Sequence, residues 1–477
     1  MLSIEIVLSA LLFILSWIFV IIAEKSRNLF GVIHNVFFIV FVFLIHFLQT
    51  LSQDSNSFSI DDYLATYSIF FIYLSIFSLG LFIIPPATGN SRRLLSYMLN
   101  FPERWLIVSF LAWFLFKGYL LSIYGISAFY GISNVAGKEG ITHFSWWVTP
   151  AQQYLTSFAL GASIIYIAKS VFLKQYWTHI LLTILFLLFN MIIAGTHEAP
   201  MGPRRLLLIL VLITIGMMAI KSHHTFTRFL ILNFGKALLI AGITIGLSAY
   251  YQEIRTNYRN PIIIEKLRSS EVTDIAKGVF LFLMPTPSDD YRDNDMVFLR
   301  GGPFLFLYQI IQQREELGHG TDGELTVNAI KMSIPSIISG PDKTDRNSDD
   351  IISSIMSIYS GPYSIQADFS TNLPAIFYAD YGLIGIFLSA PLPLLVLFIF
   401  SLIPGRMAKQ LPFIFLYLIS GLVTISASAE SGIVMFIVTA RNLLILIVIA
   451  PLISMIFRLL QRKRKNVTLQ SPKLTPK

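Results

Sequence analysis

Cysteine is absent from the 477 residues. That removes disulfides, thiolate zinc sites and cysteine-ligated iron–sulfur clusters from the available chemistry. Charge is the second scarcity: Asp, Glu, Lys and Arg make up 13% of the chain, against roughly 25% in ordinary soluble domains. So few charges cannot coat the surface of a soluble protein this long. Hydrophobic residues reach 55% instead, and the mean hydropathy is +0.69. Apolar runs of about 18 residues or more recur along most of the length, the signature of membrane-spanning helices. The chain reads as an integral membrane protein. Its formal charge of +8 does not point to nucleic acid, because the basic residues flank apolar runs and act as topology signals. The opening MLSIEIVLSALLFILSWIFVIIAEKSR lacks a basic start and a small-residue cleavage site. It is expected to be a first spanning helix, not a removed signal peptide.

The apolar periodicity predicts an all-α polytopic fold of about eleven spans: 4–23, 29–51, 64–84, 104–124, 151–173, 178–195, 204–221, 228–250, 373–403, 410–429 and 433–457. This divides the chain into eight helices over 1–250, one long external loop over 251–372, three helices over 373–457 and a basic tail over 458–477. The ninth span is long enough to tilt or to begin outside the bilayer, and Pro391 and Pro393 are expected to kink it. Orientation follows from Lys and Arg in the short connections. One set holds Lys25, Arg27, Arg92, Arg93, Lys169, Lys174, Lys221, Arg228, Arg406, Lys409 and the tail RLLQRKRK. The opposite set is nearly bare, with no Lys or Arg in 52–63 and only Lys138 in 125–150. An odd number of spans then puts the N-terminus outside and the C-terminus in the cytoplasm.

One short loop breaks that pattern. GTHEAPMGPRR, residues 195–205, sets His197, Glu198, Arg204 and Arg205 on the outer side between two uncharged runs. Two readings stand: the arginines snorkel to anionic headgroups, or they form an anion site. For the second, Pro203 precedes a helix whose first amides point outward, and such an N-terminus favours phosphate. Arginine adds a planar, permanently charged fork suited to phosphoryl oxygens.

The external segment carries two short apolar pieces, GVFLFLM (278–284) and PFLFLYQII (303–311). They are expected to lie on the membrane surface or to fold over the helices as a lid. In YYQEIRTNYR, Arg255 and Arg259 are four apart and share a helix face, beside Tyr250, Tyr251 and Tyr258. That is either a sugar-packing surface or an ordinary interfacial belt. Arg300 precedes two glycines in FLRGGPF, a plain turn or a close backbone approach to a ligand. DDYRDND lacks the spacing of a calcium loop and reads as a solvated turn.

Ionisable residues within spans are functional candidates by default. They are Lys117, Lys236, Asp380 in FYADYGLIG, Arg441, and Glu430 at the expected outer turn SASAESG. Arg441 either pairs with Glu430 or Asp380 for structural reasons, or joins them, Arg204 and Arg205 around one external cavity. His34 and His46 read as packed core residues. Arginines, carboxylates and aromatics gathered beneath a large external segment suit an amphiphile with an anionic head and a ring-shaped polar payload, such as a lipid-linked sugar diphosphate. The reaction would be glycosyl transfer. Arginines would stabilise the departing diphosphate, and a carboxylate or histidine would take the proton of the attacking hydroxyl. No metal or other cofactor is needed if arginine supplies the positive charge.

Three ordered stretches, AGTHEAPMGPRRLLLILVL, MSIPSIISGPDKTD and FYADYGLIGIFLSAPL, spread over roughly residues 195–395, resemble the bacterial O-antigen polymerase (Wzy) family and its repeat-unit polymerase relatives. The resemblance implies a fold similar to membrane glycosyltransferases of the C-type, in the inner membrane, with 251–372 as a periplasmic loop. It implies polymerisation of undecaprenyl-diphosphate-linked oligosaccharide repeat units into O-antigen or a related surface polysaccharide, with a chain-length regulator protein as a further partner. The family's functional arginines map onto Arg204 or Arg205, then onto Arg255, Arg259 and Arg300, with Arg441 as a further diphosphate contact. Relatives often carry a glutamate shortly before a Y-x-D/N-[FY]-G stretch, whereas LPAIFYADYG has only Asp368 further back. The proton acceptor stays open among His197, Glu198, Asp380 and Glu430. Rival readings are an O-antigen ligase, a polyprenyl-phosphate-sugar transferase leaning on Asp61 and Asp62, and a polysaccharide-lipid transporter. The last would be expected to show repeated halves and paired broken helices.

Overall fold

A computed structural model describes residues 4–52, 59–84, 91–124, 148–173, 203–237, 303–333, 372–402, 411–426 and 436–449, with isolated helical residues between 181 and 281. Among the described residues all regular structure is helical. Four helices among these residues are long and apolar enough to cross a membrane: Ile4–Lys25, Leu29–Leu48, Ile60–Gly80 and Pro150–Leu173. A fifth is added if the bent pair Leu206–Lys221 and Phe226–Leu232 counts as one span. The chain is an all-α membrane protein.

In chain order, α1 is Ile4–Lys25 and α2 is Leu29–Phe38, which runs through a π-helical stretch, Ile39–Leu44, into α3, Ile45–Ser52. Then come α4 (Ile60–Gly80), α5 (Ser91–Leu99), α6 (Glu103–Tyr124), α7 (Val148–Leu173), α8 (Pro203–Lys221) and α9 (Phe226–Leu232). The 251–372 segment supplies α10 (Pro303–Leu317) and α11 (Glu324–Ser333). They are followed by α12 (Leu373–Tyr381), α13 (Leu383–Ser389), α14 (Pro391–Leu402), α15 (Pro412–Ser426) and α16 (Phe436–Ile449).

Helix starts are set where a polar side chain meets the first amides. Asn28 accepts from Gly31 N at 3.1 Å and Ser59 from Asp62 N at 3.5 Å, so both act as N-caps. Between these caps the helices carry apolar residues on every face, which suits burial in a bundle surrounded by lipid. Their shared core is aromatic. Phe38 stacks on Tyr73 at 5.1 Å, and Phe43 on Tyr67 at 5.4 Å. Where helices approach most closely, glycine makes room. A Cβ on Gly161 of α7 would lie 2.2 Å from the Leu416 carbonyl oxygen of α15, the small-residue contact expected between membrane helices.

One end of the bundle is marked by basic residues. Lys169 Nζ donates to Phe101 O at 2.8 Å, Lys221 Nζ donates to Val171 O, and Thr227 Oγ1 donates to Glu24 Oε1 at 2.7 Å. Lys25, Arg27, Lys169 and Lys221, grouped by the loop-charge reading, therefore belong to elements that meet at one end.

Three expectations change. The span 228–250 does not begin as one continuous helix, because α9 ends at Leu232, where Asn233 leaves helical φ/ψ; α9 also lies at 92° to the helix before it. The ninth span is not one helix kinked at Pro391 and Pro393. Its main break is at Gly382, whose φ of +63° suits a residue without Cβ, and Pro391 merely opens α14. Third, α15 does not end at the face opposite the basic loops: Ser426 Oγ donates to Phe30 O at 3.1 Å, beside the basic end. The turn after it, residues 427–435 with Glu430, lies outside the described residues, as does the expected span 178–195 apart from Leu181 and Thr183.

Replacing Gly161 with valine should destabilise the protein by about 1–3 kcal/mol, because the Leu416 backbone cannot yield. Gly118→Ala, a helical position with nothing within 4 Å of the added Cβ, should be neutral or stabilising by up to about 1 kcal/mol. Melting curves of the two detergent-solubilised variants check the contrast; equal effects would contradict the close packing of α7 on α15.

Candidate functional site

Of the residues singled out in the sequence, His197, Glu198, Arg255, Arg259, Arg300 and Glu430 lie outside the described residues. Arg204 and Arg205 are the second and third residues of α8, which opens on Pro203 as expected; only their backbone is described. Among the candidates within spans, Lys117 is buried and Lys236 exposed, while Arg441 and Asp380 have described hydrogen-bond partners and belong to different groups.

Arg441 sits on α16. Its Nε and Nη2 donate to Asn442 Oδ1 at 3.0 and 2.8 Å. Asn442 Nδ2 donates in turn to Gln153 Oε1 at 3.4 Å. A neutral amide is thus one of the groups that orient the fork, through two of its N–H donors. Two tyrosines complete the group. Tyr154 OH donates to Asn442 O at 3.3 Å, Tyr417 OH donates to Thr439 O at 3.3 Å, and the two rings lie 5.8 Å apart. Tyr154 precedes Val171 by 17 positions on α7, about 25 Å along a helix, so the Arg441 group lies well away from the basic end. A guanidinium among amides and phenols in an apolar bundle can bind phosphoryl oxygens and pack against sugar rings.

Asp380, entertained as a base and as a partner of Arg441, is engaged elsewhere. It is buried at the end of α12, and its Oδ1 accepts from Thr321 Oγ1 at 2.5 Å and Leu325 N at 3.2 Å. Its Oδ2 accepts from Thr326 N at 2.8 Å and Thr326 Oγ1 at 2.5 Å. One carboxylate from α12 therefore caps the N-terminus of α11, where the helix dipole favours negative charge. The ion pair with Arg441 is replaced by these four hydrogen bonds.

The reverse tie runs from α10 to α12. Gly382 ends α12: its own N–H donates to Tyr378 O at 2.8 Å, and the end of the helix leaves carbonyl capacity beyond that bond to be met by other donors. Arg314 Nη1 donates to Tyr378 O at 3.1 Å and Ala379 O at 2.6 Å, with its guanidinium 5.7 Å from the Tyr378 ring centroid. Thr321 N also donates to Ala379 O, at 3.0 Å. Gly320 is required here, since a Cβ would sit 1.9 Å from Arg314 Nη1. A cation caps the C-terminus of α12 while an anion from α12 caps the N-terminus of α11. The FYADYG stretch is the joint between external segment and bundle.

The root of α10 is fixed as firmly. Phe304 is fully buried, stacked on His46 at 3.8 Å, with Tyr67 at 4.6 Å and Tyr63 at 5.2 Å. Asn372 accepts from Ala375 N at 2.8 Å as N-cap of α12, and its Nδ2 donates to Pro303 O at 3.1 Å. The 303–311 piece is therefore neither a surface helix nor a lid; it is inserted into the bundle. Asp62, one of the paired acids of the rival reading, accepts from Gln312 Nε2 at 3.3 Å. His34 and His46 are packed as expected: Nδ1 of His34 lies 3.2 Å from Ile425 O, and Nε2 of His46 lies 2.8 Å from Tyr63 OH.

Sequence reasoning missed Arg314, Gln312 and Asn442, which sit in ordinary-looking helical surroundings. One signal was available: T-D-G-E at 321–324 has capping-box spacing and marks the start of α11.

If Asp380 is a capping residue, Asp380→Ala should destabilise the protein by about 1–3 kcal/mol by orphaning buried donors, and expose 318–326 to protease. Asp380→Asn, which retains an acceptor, should lose less than half as much. An isolated loss of activity in Asp380→Asn, with melting temperature and protease resistance unchanged, would instead mark Asp380 as chemically reactive.

Comparison of the chain with protein-family models, with curated proteins and with solved structures finds no match.

Proposed function

We propose that this protein is a membrane glycosyltransferase that polymerises undecaprenyl-diphosphate-linked oligosaccharide repeat units, as the resemblance of its 195–395 region to the O-antigen polymerase family implies. The observation that carries the reading is the Arg441 group. A guanidinium held by Asn442 and Gln153 beside Tyr154 and Tyr417 has the chemistry required by a substrate with an anionic diphosphate and a sugar attached. Arginine at membrane depth is costly and rarely retained without a function. Further support comes from α8, which opens on Pro203 with Arg204 and Arg205 in its first turn, and from the anchored external helices α10 and α11.

In this proposal the protein lies in the inner membrane with about eleven spans, its N-terminus periplasmic and its C-terminus cytoplasmic. Arg441, Arg204 and Arg205 bind the diphosphate and stabilise it as it leaves. Arg255, Arg259 and Arg300 from the external segment extend the grip. The attacking hydroxyl of the acceptor sugar forms the new glycosidic bond to the anomeric carbon as the carbon–oxygen bond to the diphosphate breaks. The released proton passes to His197 or Glu198; Glu430 follows Ser426, which lies at the basic end, by only four positions and is set aside.

Purified protein incubated with a single lipid-linked repeat unit should give a ladder of products on a gel. Arg441→Ala should reduce ladder formation by about 10²-fold, and Arg441→Lys should recover only part of it, because an ammonium lacks the planar fork. One added sugar from a polyprenyl-monophosphate donor would replace this reading with that of a monophosphate-dependent transferase. Binding without any product, with lipid-linked units accumulating on the cytoplasmic side of cells, would replace it with transport.

A further inference from the structure

α11 has three distinct faces. Leu325 and Ala329, one turn apart, are buried on the side turned to α12. Val327 and Ile330 are 46% and 49% exposed, and three positions put them about 60° apart on the helix circumference. Glu324 and Lys331 are also exposed; seven positions bring them within about 20° of each other, on the sector that borders Val327 on the side away from Ile330. Burial on protein explains the first face and water the third. The middle face is apolar and uncovered.

Its surroundings identify what covers it. At the start of α11, a Cβ on Gly323 would lie 3.0 Å from Tyr381 OH, so the Tyr381 side chain packs against the turn that opens the helix. Tyr381 is followed across the Gly382 break by Leu383 and Ile384, 59% and 70% exposed, and then by exposed Phe387 and Leu388. In a membrane protein, such a run of uncovered apolar side chains on an apolar helix is the lipid-facing surface. Tyrosine is a residue of the boundary between hydrocarbon and headgroups, with its ring in the apolar layer and its hydroxyl at the polar edge. The apolar stripe of α11 thus adjoins the lipid-facing belt of α13 at a boundary residue. The clasp of Asp380 on Thr321, Leu325 and Thr326 sets the roll of α11 about its own axis and hence which stripe faces outward.

We propose that α11 is an interfacial helix, seated on the bilayer with Val327 and Ile330 among the acyl chains and Glu324 and Lys331 in the headgroup layer. The occupant of the uncovered stripe is lipid. α10 and α11 then form a platform that the bundle anchors at one side and the membrane supports at the other. The inference stands on the membrane character of the chain and is independent of any catalytic activity.

The absence of cysteine makes the full-length chain a ready background for site-directed spin labelling. Single variants Val327→Cys and Ile330→Cys, reconstituted in lipid nanodiscs that leave both faces open to solution, are compared with Ile384→Cys as lipid reference and Asp322→Cys and Glu316→Cys as water references. Collision with molecular oxygen should exceed collision with a water-soluble nickel chelate at 327, 330 and 384, and the order should reverse at 322 and 316. Water-like collision behaviour at both 327 and 330 would overturn the proposal. So would exclusion of both reagents there with dipolar broadening between labels, which would mean that a second copy covers the stripe. Thermal denaturation of each labelled variant verifies the fold, and two stripe positions keep the test decisive if one label perturbs it.

Discussion

A helix interrupted near or within hydrocarbon leaves carbonyls that water cannot reach, and each one left unpaired costs several kcal/mol. Gly382 creates such an interruption between α12 and α13. The carbonyls of Tyr378 and Ala379 are supplied with donors from Arg314 and Thr321, both contributed by the 303–333 segment. That segment has the opposite need, since the first amides of α11 require an acceptor, and Asp380 provides it. Each partner resolves the other's unsatisfied helix end. Bonds of this kind involve a full charge on one side, which makes them shorter and stronger than neutral ones.

Much of the described architecture on that side of the bundle follows from this exchange. With α12 capped, the chain can reverse sharply at Gly382, and Gly385 can approach the Phe377 carbonyl so closely that a Cβ would lie 1.9 Å from it. α10, held through Arg314 at one end, presents Phe304 at the other to the cage of His46, Tyr63 and Tyr67. A ring of that size buried without a void contributes about 3–5 kcal/mol relative to truncation. Residues 303–333 are thereby made continuous with the bundle.

The Arg441 group obeys a different logic. Among the described contacts its fork donates to the Asn442 amide oxygen, and the nearby phenols of Tyr154 and Tyr417 donate to backbone carbonyls of the same helix. A carboxylate in Asn442's place would hold the fork equally well but would oppose a diphosphate. The two groups differ in role: Arg314 and Asp380 cap helix ends, whereas Arg441 is tied to a side-chain amide of its own helix.

Much of this was legible in the order of residues. Lipid accepts only helices or closed barrels as spanning elements, so long apolar runs set the all-α class, and Lys and Arg beside them grouped the loops whose elements meet at one end. Pro203 marked the start of α8, and burial of His34 and His46 followed from their apolar context. Tertiary structure alone decided the roles of the polar side chains. Nothing local distinguishes a carboxylate that caps a helix 55 residues away from one that accepts a proton, and Asp380 is the former in its described contacts. Nor does sequence reveal that Phe304 enters the core instead of lying on the membrane, because an apolar stripe fits lipid and protein equally well. Composition and periodicity are properties of segments, whereas the pairing of Arg314 with two carbonyls of α12 depends on where segments far apart in the chain come to rest.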